Sequence, residues 1–162
     1  MAERYAVGAK IVHPKHGAGV IKEIVERDGL NGKSEFYVFC MPIGSMIVSI
    51  PVESADAIGV RSVVDAATAN RLLDDLQNPI EVQESNWSKR FKENLERLKC
   101  GDPFVVTEIV RSLTERDRQK TLSMGERKML HSAVQMLASE ISLAKDSSYA
   151  EVEAQIKQRL RP

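Results

Sequence analysis

The chain has 162 residues, 43% hydrophobic and 28% charged, with 23 basic residues balanced by 23 acidic ones. That length holds one domain or two small ones, and a neutral total excludes nucleic-acid binding through a general positive field, so any such site must be a local patch. Two cysteines without a CxxC motif argue against a disulfide framework and a zinc site, and no run reaches the roughly 18 apolar residues of a membrane span; a soluble protein of a reducing cytoplasm, with no membrane contact, is expected.

The opening MAERYAVGAK carries no apolar segment of a signal peptide. The N-terminal part then reads as short strands. Lys10 to His13 is the first, stopped by Pro14. Ala18 to Val25 is the second, and Glu26 to Gly32 reads as a turn or hairpin loop because Asp, Asn and Gly accept left-handed backbone. Ser34 to Met41 is aromatic and β-branched, and Pro42 and Gly44 break it. Met46 to Ile50 is closed by Pro51, and Ile58 to Arg61 is a last short strand. Strands at this spacing, separated by Gly and Pro, predict a small antiparallel barrel or a strongly bent sheet.

After Arg61 the period changes. Asp65 caps a helix running to Leu76, and Asn78-Pro79 stops it. Glu81 to Ser85 is a polar connector before a helix that opens at Trp87. Gly101 ends that helix, and Asp102-Pro103 starts the next. Ser123 to Glu126 and Ser148 to Glu151 are capping boxes for two more. The fold class is therefore α+β: a β domain over residues 1–62, then a compact all-α domain of about five helices over residues 63–162.

Trp87 is the only tryptophan. With Phe91, Leu95 and Leu98 it forms a stripe at helical spacing, which on periodicity alone makes it a packing residue. Its place in the first turn, flanked by Lys89, Arg90 and Lys92, favours a second reading. Basic residues there oppose the helix dipole at a cost of up to about 1 kcal/mol, which phosphate contacts would offset. From Trp87 to Lys128 there are eleven Lys and Arg against seven Asp and Glu. Arg127 and Lys128 add a second basic helix start, although alone they read as a solvated face.

The sequence shows no catalytic site. His13 and His16 lie in a turn with no Cys, Asp or Glu to complete a metal set, and no nucleophile motif or Gly-rich phosphate loop is present. No enzyme activity, cofactor, metal or small-molecule substrate is expected. The Met46 to Ile50 strand, with proline at its margin, could be an open edge able to pair with a partner strand, but by itself reads as an ordinary barrel strand.

Taken in order, the segments resemble a known family. KIVHPKHGAGVIKEI is similar to the opening segment of the CarD/CdnL family of bacterial transcription regulators, and IPVESADAIGVRSVV to its closing β segment. NWSKRFKENLERLKCGD is similar to its tryptophan signature. VVTEIVRSL, LSMGERKML and ISLAKDSS follow its later helices. The resemblance implies an N-terminal Tudor-like barrel, shared with the transcription-repair coupling factor, that binds the β subunit of RNA polymerase. It implies a helical domain that reaches promoter DNA at the upstream edge of the transcription bubble. There the family tryptophan acts as a minor-groove wedge that stabilises the open complex.

Carried onto this chain, the wedge is Trp87, with DNA-backbone contacts from Lys89, Arg90, Lys92, Arg127 and Lys128. The polymerase contact falls to Arg27, Val48, Ile50 and Pro51. A monomer is expected. Two residues depart from the family pattern: Ser49 stands where some relatives carry an arginine, and Phe91 replaces a frequent tyrosine. A protein-interaction adaptor that docks on polymerase without touching DNA is the alternative.

Overall fold

A computed structural model describes residues 4–29, 32–42, 44–80 and 86–161. An antiparallel sheet of five strands precedes a helical part. The strands are β1 (Lys10–His13), β2 (Gly17–Gly29), β3 (Gly32–Cys40), β4 (Ile47–Pro51) and β5 (Arg61–Ser62), in the order β4-β3-β2-β1-β5. A single helical turn, α1 (Ala55–Ile58), links β4 to β5. Then follow α2 (Ala66–Asp75), α3 (Trp87–Leu98), α4 (Pro103–Gln119), α5 (Met124–Lys145) and α6 (Tyr149–Arg159). The α+β class and the five helices expected from the sequence are present.

The five helix starts, four of them with caps expected from the sequence and the fifth capped by Asn86, form because each cap side chain accepts a backbone N–H of the first turn. Asp65 accepts from Thr68, Asn86 from Lys89, Asp102 from Phe104, Ser123 from Glu126 and Ser148 from Glu151. The polar connector predicted over residues 81–85 and the loop tip at residues 30–31 lie outside the described residues.

Two elements differ from the reading of the sequence. Glu26, Arg27 and Asp28 are strand rather than turn, paired with Glu35, Ser34 and Lys33. Asp28 faces Lys33, the Arg27 guanidinium lies 5.5 Å from the Phe36 ring centre, and Arg4 grips Glu35 with two hydrogen bonds of 2.9 and 2.6 Å. These pairs carry the hairpin beyond the point where apolar alternation ends. The strand expected over Ile58 to Arg61 is replaced by α1. Gly59, at φ 101°, ends that turn and leaves only Arg61 and Ser62 to pair with β1.

The inner face of the sheet buries Ile11, Ile21, Tyr37, Phe39, Met41 and Ile50. The helices enclose a second core that includes Leu72, Leu73, Val110, Leu137, Ile141, Val152 and Ile156. A third cluster, of Ile109, Leu113, Leu122 and Met129, gathers Phe91 and Leu98 of α3 against α4 and α5.

The two parts are fastened along the C-terminal half of α5. Ala18 N–H donates to Ser139 Oγ at 3.0 Å. Gly17, at φ 103°, brings the chain so close that a Cβ there would sit 3.0 Å from the same oxygen. Lys10 Nζ donates to the Leu143 carbonyl at 2.8 Å and to Asp146 at 2.6 Å, which places a cation at the negative end of the helix. Arg61 donates through both terminal nitrogens to the buried Glu140 carboxylate, at 2.7 and 2.8 Å, and through Nε to the Gly101 carbonyl at 2.9 Å. Val64 N–H adds a third bond to Glu140 at 3.0 Å.

Candidate nucleic-acid interface

Asn86 starts α3, and Trp87 is its first residue. A side chain in that position extends past the packed turns, and Trp87 is 45% exposed. The packing expectation from periodicity therefore does not hold for this ring. Its orientation is nevertheless fixed. The indole N–H donates to Ser123 Oγ at 2.8 Å, and the ring stacks on Phe91 with centroids 5.0 Å apart and planes 15° from parallel. Gly125 makes room for this pair, since a Cβ there would lie 3.1 Å from Phe91 and 3.8 Å from the indole. The hydrogen bond and the stack are each worth about 0.5–1.5 kcal/mol, enough to hold one orientation while the residue stays exposed.

The anchor is a four-residue network. Ser123 Oγ accepts from the indole and from Glu126 N–H at 3.1 Å, and its hydroxyl donates to the Glu126 carboxylate at 3.3 Å. Arg90 donates to the same carboxylate through Nε at 3.0 Å and Nη2 at 3.3 Å. Burial alone would push the Glu126 carboxyl up. The Arg90 hydrogen bonds and charge, with Arg116 and the Ser123 hydroxyl, outweigh it and hold the group below the usual carboxylate range.

This network corrects the expectation for Arg90. It is 9% exposed and joins α3 to α5, whereas Lys89 and Lys92 face solvent. Leu95 is corrected in the opposite direction: predicted to pack, it is 40% exposed, while Asn94 takes the buried position. The face α3 presents to its neighbours is thus centred on Arg90, Phe91, Asn94 and Leu98. Ser123, Gly125 and Glu126 hold the tryptophan from 36 to 39 positions away. The capping box was readable, but its partner across the fold was not.

Arg127 and Lys128 emerge exposed from the first turn of α5, beside Gly125 and Glu126. Arg127 faces Asp117 at 3.7 Å. Among the described residues no carboxylate pairs with Lys89, Lys92 or Lys128. The structure thus gathers an exposed, fixed aromatic ring with cations from two helix starts.

The four residues expected at a polymerase contact fall on two faces of the sheet. Val48 and Ile50 pair with the buried Phe39 and Tyr37, so their side chains face the core, and Ile50 is fully buried there. Ile50 can offer a partner only its backbone. Pro51 pairs with Phe36, which also carries the Arg27 guanidinium, so Arg27, Phe36 and Pro51 share the outer face. β4 ends the strand order, with Ile47 and Ser49 exposed along it. His13 and His16 lie with ring centroids 4.6 Å apart, and burial, then neighbouring positive charge, lowers both below the ordinary histidine range.

Comparison with known proteins identifies the relatives of this arrangement. The CarD C-terminal domain family matches residues 71–157, and the CarD-like/TRCF RID domain family matches residues 5–64. The chain belongs to the CarD family. It is 33% identical over 141 residues to the Bacillus subtilis (strain 168) protein named "Putative transcription factor YdeB", covering 87% of this chain and 92% of that protein. As a CarD-family member the chain is a transcription regulator, and the RID match ties its N-terminal part to RNA polymerase interaction in general. No helix among the described residues is long and apolar enough to cross a membrane.

Proposed function

We propose that this CarD-family chain holds promoter DNA open while docked on RNA polymerase. Residues 1–62, a Tudor-like module in this reading, bind the polymerase β subunit through the open edge of β4 and the Arg27–Phe36–Pro51 surface. Residues 63–162 bring Trp87 to the upstream edge of the bubble. The observation that carries the proposal is the exposed Trp87 ring, oriented by Ser123 and Phe91 among solvent-facing cations. A fixed aromatic ring can fill an unstacked base step without losing rotamer entropy on binding. Lys89, Lys92, Arg127 and Lys128 supply phosphate contacts, while Arg90 positions the ring through Glu126.

The neutral total charge fits this role. A free DNA-binding protein needs a strong field to reach its site, but one delivered by a larger partner needs few contacts because tethering raises its effective concentration. A wedge worth a few kcal/mol at one step shifts a near-balanced open/closed equilibrium strongly.

The test is the lifetime of a polymerase–promoter open complex. Trp87→Ala is expected to shorten it by about tenfold, equivalent to about 1.4 kcal/mol. Lys89→Glu with Lys92→Glu is expected to shorten it in a salt-dependent manner. If folded Trp87→Ala protein prolongs the lifetime as well as the wild type, and the charge reversals change nothing, the chain is a protein-interaction adaptor. On the other domain, Pro51→Asp or Arg27→Glu is expected to abolish capture of the isolated polymerase β subunit in a pull-down, with helical content unchanged.

A further inference from the structure

Met124 is the most exposed large apolar side chain among the described residues, at 76%. It is the first residue of α5, between Ser123 and Gly125. Both neighbours touch the tryptophan: Ser123 accepts the indole N–H, and Gly125 lies under the indole and Phe91 rings. Met124 is therefore bracketed by the two residues that seat Trp87.

Nothing in the fold calls for a thioether there. The cap is made by Ser123 and the charge pair by Glu126, and no core cluster includes Met124. A polar residue would serve the helix start equally well and avoid exposing apolar surface. Methionine is unbranched and polarizable, and it conforms to irregular apolar and aromatic surfaces. Lys89 and Lys92 of α3 and Arg127 and Lys128 of α5 are exposed near the same two helix starts, a local positive charge that fits the anionic backbone of a nucleic acid.

We propose that Met124 is a second apolar contact of this interface, lying beside Trp87 against the exposed base at the opened step. The inference rests on the wedge reading given above.

The experiment uses the full-length chain bound to polymerase, with and without promoter DNA. Peroxide oxidation of Met124 to the sulfoxide, followed by mass spectrometry, is expected to slow several-fold when promoter is added to the polymerase-bound protein. Met124→Ala is expected to shorten the open-complex lifetime by about threefold to tenfold, and Met124→Leu to stay near wild type because it keeps the apolar volume. Since Met124 is exposed, the alanine variant should fold normally, as circular dichroism would verify.

Equal oxidation with and without promoter, together with a wild-type lifetime for Met124→Ala while Trp87→Ala shortens it, would overturn this inference and leave the wedge reading standing. Protection already complete with polymerase alone would also overturn it, because the contact would then be to protein. Promoter-dependent protection of Met124 alongside a silent Trp87→Ala would support Met124 at the DNA and remove the wedge role from Trp87.

Discussion

Arg90→Ala is expected to lower the stability of the chain by about 3–5 kcal/mol, because it leaves the buried Glu126 carboxylate without its cation. The double variant Arg90→Ala, Glu126→Gln should recover part of the loss, since a neutral amide costs less to bury than an unpaired charge. Urea unfolding followed by fluorescence reads this directly, as the only tryptophan sits on the affected network. The single variant should also shift the native emission, because Glu126 and Ser123 together orient the indole.

The same pair sets a pH dependence. Glu126 is held below its usual value of 4.5, so its contribution is fully present above that value. It is lost as pH falls through the folded-state pKa. Wild type should therefore lose stability in acid more steeply than Arg90→Ala, whose advantage has already been removed. Parallel acid titrations of the two are expected to stay separated above pH 4.5 and to converge as pH falls below it.

The second large effect is expected at Glu140. Glu140→Ala removes the buried carboxylate that accepts two Arg61 bonds and the Val64 N–H. Arg61 is partly exposed and can recruit water, so the loss is set at about 2–3 kcal/mol, below that for a fully buried pair. The effect that separates this site from an ordinary core position is geometric. Arg61 belongs to the sheet, Gly101 to the α3–α4 connection and Glu140 to α5, so their bonds fix one part against the other. A distance distribution between spin labels on β3 and α4 should broaden in Glu140→Ala and stay narrow in Glu140→Gln, which retains an acceptor.

What could be read in the sequence was local. Asp65, Asp102-Pro103, Ser123 and Ser148 each start a helix, because a cap is made within three residues. What could not be read depended on distant partners. Lys89, Arg90 and Lys92 look alike in the chain, yet Glu126, 36 positions on, draws only Arg90 inside. Leu95, expected to pack, is exposed and Asn94 is buried because α3 lies against α4 and α5 along the face that carries that ion pair. The hairpin of β2 and β3 runs on because Arg4 and Phe36 supply partners that strand periodicity does not record. The candidate site was legible as a motif, through Trp87 and its basic neighbours. The three residues that aim it were legible only as a cap.

One helix carries both the hydroxyl that seats the indole N–H and the groups that hold the sheet. Ser123 and Glu126 lie at the start of α5, and Ser139, Glu140 and the Leu143 carbonyl, which hold the sheet, lie toward its end. The interval from Ser123 to Glu140 corresponds to about 25 Å of continuous helix. α5 is therefore a ruler between the sheet and the indole. One residue added to its middle would lengthen it by about 1.5 Å and turn the indole seat by about 100° relative to the sheet, so its register as well as its composition is under constraint.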